Sequence, residues 1–119
     1  MARRRAREFA LKALYQVDVA NGRCTDALEG LWKAQLDAES EDRAADNTEM
    51  RFATRIASSV DDKLDDIDEL IEKASKNWRL NRMPVVDRNI LRMATAELLF
   101  FEDVPASVTI NEAVELAKR

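Results

Sequence analysis

The chain has 119 residues, of which 46% are hydrophobic and 35% charged, with only two glycines, two prolines and one cysteine. This composition excludes a sheet with many tight turns and an internal disulfide framework, and no apolar run approaches the roughly 18 residues that span a bilayer. The net charge of −4 combines a basic start, with five basic residues and one acidic residue over 1–12, and a remainder with 14 basic and 22 acidic residues. We therefore predict a single all-α domain, 1–119, in the cytoplasm, with polyanions binding at one place.

The first predicted helix runs from about Arg4 to Ala20 and ends at Asn21-Gly22, because both residues tolerate left-handed backbone. Its apolar stripe recurs at helical spacing and consists of Ala6, Phe9, Ala10, Ala13, Leu14 and Val17. Thr25 is predicted to N-cap a second, shorter helix. Residues 37–47 are polar and acidic without periodicity, which indicates a mobile loop.

One long helix is predicted from about Thr48 to Lys76, because Ser58-Ser59 near its middle contains no helix breaker. Pro84 suits the first turn of the next helix, which extends to about Phe101. That helix is apolar on more than one face, and this pattern is typical of a central helix packed on several neighbours.

Residues 102–108 are predicted to form a loop before the last helix. Thr109 and Glu112 match a capping box, Thr-x-x-Glu, at the start of that helix. The chain ends at Arg119 in mid-helix, so we expect that it has been shortened and that its last helical bundle is incomplete. About five helices are thus expected.

The sequence offers little for catalysis. It contains no histidine, a single cysteine and too few glycines for a phosphate- or dinucleotide-binding loop. Two carboxylate pairs, Asp61-Asp62 and Asp65-Asp66, could be imagined as a cation site, but adjacent residues on a helix point about 100° apart. We predict no enzyme activity, no metal and no cofactor.

Four arginines occupy five positions near the start of the first helix: Arg3, Arg4, Arg5 and Arg7. Cations at a helix N-terminus oppose the macrodipole and repel one another at this spacing, at a cost of about 1–2 kcal/mol. Local rule-breaking of this kind tends to mark function. Because guanidinium groups bind phosphates and stack on bases, the cluster predicts nucleic-acid contact. A solvated basic tail is the alternative.

RNA is favoured over DNA, because the sequence has no zinc-finger or basic-zipper pattern. A helix-turn-helix at Asn21-Gly22 would present an acidic second helix. Sequence-specific RNA recognition commonly uses stacking on unpaired bases. Tyr15 is a candidate for such stacking if its hydroxyl is exposed, whereas Phe9 is expected in the core.

Three stretches together resemble the NusB family. They are Arg3–Glu8 leading into Ala13–Asp18, then Val86–Ala94 continuing to Leu99, and finally Val104-Pro105 followed by Val108–Lys118. Trp78 also stands where the family often has a tryptophan. The resemblance implies two packed helical bundles with the arginine-rich first helix exposed.

The resemblance also implies partners and site residues. NusB-like proteins pair with NusE, a small-subunit ribosomal protein, bind the boxA element of leader RNA and help the RNA polymerase antitermination complex read through ribosomal RNA operons. By position, Arg3, Arg4, Arg5 and Arg7 would contact RNA. Asp87 would lie on the NusE-facing side, with Arg92 as a weaker candidate for either contact. Buried hydrogen bonding and helix capping would account for Asn111 and Glu112.

The sequence departs from the family pattern at its end, where members usually continue with a Phe-Gly segment and a further helix. Two alternative functions remain open. A related domain forms the N-terminus of ribosomal RNA cytosine methyltransferases, where it would dock RNA for a longer enzyme. The chain could also be a helical protein-interaction module without an RNA role.

Overall fold

The computed structural model describes residues 3–38, 47–76 and 79–118, and within these ranges all regular structure is helical. It confirms the all-α prediction. The five α-helices are α1 (Arg3–Ala20), α2 (Cys24–Ala38), α3 (Asn47–Ala74), α4 (Val85–Phe100) and α5 (Ala106–Ala117). Across the described ranges, no helix combines the length and apolar character needed to cross a membrane.

The chain divides into two compact units, Met1–Ser58 and Ser59–Arg119, with the boundary inside α3. The first unit contains α1, α2 and the beginning of α3. The second unit contains the rest of α3 together with α4 and α5. Each unit has its own buried apolar side chains.

The core of the first unit lies where α1 packs on α2. The predicted stripe of α1 is largely buried, and its Phe9 ring meets Trp32 edge-on at 5.2 Å between centroids. The single cysteine, Cys24, is fully buried at the start of α2. From α3, the buried residues are Phe52, Ala53, Ile56 and Ala57.

The first helix ends where the sequence predicts. Asn21 and Gly22 have φ angles of 67° and 113°, and the Asn21 N–H donates to the Val17 carbonyl at 2.7 Å. The second helix begins earlier than predicted, at Cys24, so Thr25 lies inside the first turn and is not the N-cap. Residues 39–46 of the predicted acidic loop lie outside the described residues.

In the second unit, the buried apolar residues include Ile67 and Ile71 of α3 and Ile90 and Met93 of α4. A 3₁₀ turn, Leu80–Arg82, precedes α4. The Leu80 N–H donates to the Glu72 carboxylate, and the Leu80 carbonyl accepts from the Arg88 guanidinium, both at 3.2 Å. The turn is therefore bonded to helices on both sides of it. Trp78 lies outside the described residues.

The long helix α3 runs through Ser58-Ser59 without a break, as predicted. It departs from helical geometry farther along, at Lys63, whose φ and ψ are −124° and 24°. As predicted, α4 packs on more than one neighbour, α3 and α5, but one side of it is not covered by the described residues. Its outer side chains Leu91, Leu98, Leu99 and Phe100 are 40–51% exposed.

The last helix begins earlier than predicted, at Ala106, with Pro105 and not Thr109 as its N-cap residue. The capping-box prediction is therefore wrong. The Thr109 hydroxyl instead donates to the Glu97 carboxylate of α4 at 3.0 Å, and each residue is 2% exposed. The Thr-x-x-Glu pattern is therefore present although its threonine bonds to a neighbouring helix and does not cap its own.

Candidate functional site

The arginine cluster is divided between two sides of α1. Arg3 and Arg7 are one helical turn apart and share the side of the helix that carries Ala10 and Leu14. Arg7 is only 2% exposed, and Arg3 is half-buried. Both guanidinium groups lie over the ring of Phe52 in α3, with their central carbons 4.4 Å (Arg3) and 5.1 Å (Arg7) from the ring centroid.

Two cations on one ring form a favourable but crowded arrangement. A guanidinium within about 6 Å of an aromatic centroid is attracted to the ring face by about 0.5–2 kcal/mol, more when water is excluded. Phe52 is 5% exposed, so little water competes at its ring and the attraction of a guanidinium is near the favourable end of that range. Among the described residues, no buried side-chain nitrogen or oxygen lacks a hydrogen-bond partner, so the buried part of Arg7 is also paired.

The other side of α1 carries a second group of cations. The guanidinium of Arg5 and the ammonium of Lys12 lie 5.7 Å and 5.8 Å from the centroid of Phe9. Arg5 is half-buried and Lys12 is exposed. The ring beneath them is packed in the core, so it gives both cations an ordered support.

Tyr15 lies next to this group and is 45% exposed. Helical periodicity places positions 5, 12 and 15 on one side of α1, within about 80° of one another. Arg4, half-buried, borders the same side near Tyr15. We call the set of Arg4, Arg5, Lys12 and Tyr15 the outer face of α1. By the same periodicity the half-buried Glu8 lies between Tyr15 and Lys12, so this side presents three cations, one aromatic ring and one carboxylate.

Two residues of this region are not among those that the sequence predicts for the site, Lys12 and Phe52. The spacing of seven residues between Arg5 and Lys12 places the two on the same side of the helix, and this spacing is the signal that identifies Lys12. Phe52 could not be identified from the sequence, because the pairing of α1 with α3 joins residues more than forty positions apart. The sequence does not distinguish the four arginines, whereas the structure separates a pair packed on Phe52, Arg3 and Arg7, from an outward pair.

The two candidate partner-binding residues of the second unit differ in their surroundings. Asp87 is exposed in the first turn of α4. Arg92 is largely enclosed: its Nε and Nη2 donate to the two carboxylate oxygens of Asp68 in α3 at 2.8 Å and 3.0 Å. Its Nη1 donates to Asn89, whose own amide donates to the Val85 carbonyl. Arg92 therefore holds α4 to α3 within this unit.

Two further polar residues that the sequence singles out, Asn111 and Glu112, lie in α5. Glu112 is 8% exposed in α5, in agreement with the buried role predicted for it, whereas Asn111 is exposed. In the part of the chain that the structure describes, no cluster of three or more histidine, cysteine, aspartate or glutamate side chains could hold a metal ion. The outer face of α1 therefore offers three cations and one aromatic ring, with the carboxylate of Glu8 beside them.

Comparisons with known proteins agree on one family. Residues 4–119 match the NusB family. The chain is 45% identical over 117 residues to the transcription antitermination protein NusB of Myxococcus xanthus, covering 98% of this chain and 81% of that protein. It is 48% identical to the protein of the same name from Anaeromyxobacter dehalogenans, covering 77% of it. The solved structure of T. maritima NusB superposes with a TM-score of 0.83 at 40% identity, covering 98% of this chain and 77% of that one.

Proposed function

Because the chain belongs to the NusB family, we propose that it is a transcription antitermination factor that binds boxA-type single-stranded leader RNA together with NusE. Its relatives are named as antitermination proteins, which are not enzymes, in agreement with the prediction from the sequence. The pair would act within the RNA polymerase antitermination complex in the cytoplasm and promote read-through of ribosomal RNA operons.

The observation that carries the RNA proposal is the composition of the outer face of α1. Arginine forks and a lysine ammonium suit phosphate oxygens, and an exposed tyrosine ring suits an unstacked base. Single-stranded RNA offers both groups on one strand. The acidic remainder of the chain repels the same ligand, so the RNA is directed to this helix.

Within this proposal, the RNA is contacted directly by Arg3, Arg4, Arg5, Lys12 and Tyr15. Arg3 does so through the N–H groups of its guanidinium while that group lies over the Phe52 ring. Arg7 was predicted from the sequence as a further contact. With 2% of its surface exposed, it fits an indirect role in the same site better.

NusE is proposed to bind the second unit at the exposed start of α4, with Asp87 as a contact. Arg92 supports that surface through its ion pair with Asp68, and it does so from a largely enclosed position. NusE would bring a second RNA-binding surface to the same strand. Joining two weak sites on one strand raises the overall affinity without any new contact in either site.

The proposal is tested by measuring binding of a boxA RNA and a scrambled RNA of equal length, with and without NusE, at several salt concentrations. If about four phosphates are neutralised on a single strand, log K falls with log salt at a slope of roughly −3. We expect preference for boxA, strengthened by NusE. Equal, weak binding to both RNAs would contradict the proposal.

The methyltransferase-domain alternative is less favoured. The chain spans 81% of the M. xanthus relative, which leaves little of that protein for a catalytic domain. The interaction-module alternative predicts that removing cations from the outer face of α1 has no effect on function, and the same binding assay decides it.

A further inference from the structure

We propose that Phe52 and Arg7 are positioning residues of the RNA site: the ring of Phe52, flanked by buried Arg7, holds Arg3 and the first turn of α1 in place before RNA arrives. This inference rests on the proposed function and deepens it. Its basis is the shared aromatic ring, with the Arg3 and Arg7 guanidinium carbons 4.4 Å and 5.1 Å from its centroid.

The first turn of α1 needs such support. It contains no acidic residue and three consecutive arginines, so both the helix macrodipole and like-charge repulsion favour its fraying. The first N–H groups of any helix also lack partners within the helix. A tertiary contact from α3 to the first residue of α1 opposes the fraying that these effects favour, and Phe52 provides it.

Arg7 acts one helical turn farther along on the same ring. Its 2% exposure leaves almost no surface from which to reach a phosphate, so its contribution to RNA binding is indirect. By packing against Phe52, it fixes where the ring can receive Arg3. The cluster thus consists of an inner pair, Arg3 and Arg7, and an outward pair, Arg4 and Arg5.

This division has a measurable consequence for affinity. A long side chain that is ordered before binding does not lose its rotamer freedom on binding, so its release in a variant should weaken RNA binding by about threefold to tenfold. The salt dependence reports something different, because each phosphate contact on a single strand contributes about 0.7 to the slope of log K against log salt. Loss of order lowers affinity at every salt concentration and leaves the slope unchanged.

The test uses the full chain with boxA RNA and NusE. Phe52→Leu keeps an apolar side chain and removes the aromatic face. Arg7→Met removes the buried cation, and Arg3→Met removes the contact that the ring is proposed to hold. Ile56→Val is the matched control, since Ile56 is fully buried one turn along α3 and loses packing without losing an aromatic ring.

We expect Phe52→Leu and Arg7→Met to lower affinity by about threefold to tenfold with the slope unchanged, and Arg3→Met to reduce the slope by about 0.7. Adding Phe52→Leu to Arg3→Met should cost little more than Arg3→Met alone, because Phe52 acts through Arg3. Phe52→Tyr, which restores a ring, should recover most of the affinity. Ile56→Val should bind RNA as the unmodified chain does.

A folded Phe52→Leu variant with unchanged affinity would overturn the inference, as would a reduced salt slope for Arg7→Met. If these variants do not fold, the unmodified chain still decides the question by NMR. The side-chain protons of Arg3 and Arg7 should show upfield ring-current shifts from Phe52 in the absence of RNA, and ordinary shifts for Arg3 would overturn the inference. Failure of the proposed function is distinguishable, because the unmodified chain would then not prefer boxA RNA.

Discussion

The guanidinium of Arg92 in α4 donates two parallel hydrogen bonds, of 2.8 Å and 3.0 Å, to the carboxylate of Asp68 in α3. The side chains are 13% and 25% exposed, so water competes weakly for this pair. Fork-to-fork geometry of this kind is stronger than an ordinary surface ion pair. The Arg92–Asp68 pair is therefore a structural link of the second unit.

Arg92→Met should lower the free energy of unfolding by about 1–3 kcal/mol, because it leaves the Asp68 carboxylate partly buried without its main partner. Urea denaturation followed by circular dichroism measures the change. Lys73→Met is the control: it breaks the Lys73–Glu69 pair, whose side chains are 71% and 65% exposed. An equal decrease in the free energy of unfolding for both variants would show that the Arg92–Asp68 pair stabilises the chain no more than an exposed ion pair does.

Thr109→Val should also destabilise the second unit, by about 1–3 kcal/mol, because it removes the hydroxyl that donates to the buried Glu97 carboxylate. Thr109→Ser keeps the hydroxyl and should cost less. Comparison of the two denaturation midpoints isolates the hydrogen bond from the packing. A Thr109→Val chain as stable as the original would contradict a role for this bond.

Lys12→Gln and Arg5→Gln should each weaken RNA binding and reduce the salt slope by about 0.7, the contribution of one phosphate on a single strand. Both cations belong to the outer face of α1 and stand over Phe9. Arg82→Gln removes an exposed cation from the second unit and should leave the slope as it is. If all three variants behave alike, the response reflects net charge and not a site.

Tyr15→Leu should weaken RNA binding by about 1–3 kcal/mol with an unchanged salt slope, because stacking on a base involves no phosphate. Tyr15→Phe retains the ring and should bind nearly as the original chain does. Fluorescence anisotropy with a labelled boxA RNA measures both. A larger loss for Tyr15→Phe than expected would assign the contribution to the hydroxyl.

Asp87→Lys should slow association with NusE, because an exposed carboxylate at an interface acts mainly on the rate of encounter. Binding of RNA in the absence of NusE should not change. Glu102→Lys, at another exposed acidic position in the second unit, is the control. Surface plasmon resonance at two salt concentrations measures the association rate of both variants. A slower rate for Asp87→Lys alone would indicate a local contact, and an unchanged rate would remove Asp87 from the NusE surface.

Local patterns predicted most of the helices. The apolar spacing of α1 and the left-handed pair Asn21-Gly22 were confirmed, since both depend on residues within a few positions of one another. The predicted start of α5 was wrong, since Thr109 does not cap this helix and bonds instead to Glu97 in another one. A capping pattern read from the sequence cannot distinguish a partner in the same turn from one twelve positions away.

The candidate site was predictable in its chemistry and not in its arrangement. Charge spacing identified the arginine cluster, and helical periodicity could have placed Arg3 and Arg7 on the side of Ala10 and Leu14. The ring that receives both arginines comes from α3, and no local pattern connects the two helices. Long-range packing therefore supplies the aromatic ring on which these two arginines lie, and the sequence does not predict it.

Because Cys24 is buried, the reactivity of its thiol reports local unfolding of the surrounding structure. The thiol is fully enclosed at the start of α2, and it is the chain's single cysteine. A thiol reagent can then modify the native protein only in those molecules in which the packing around Cys24 has separated. The labelling rate at low reagent concentration would follow the population of that open form, and its suppression by RNA would report how strongly the ligand closes the first unit.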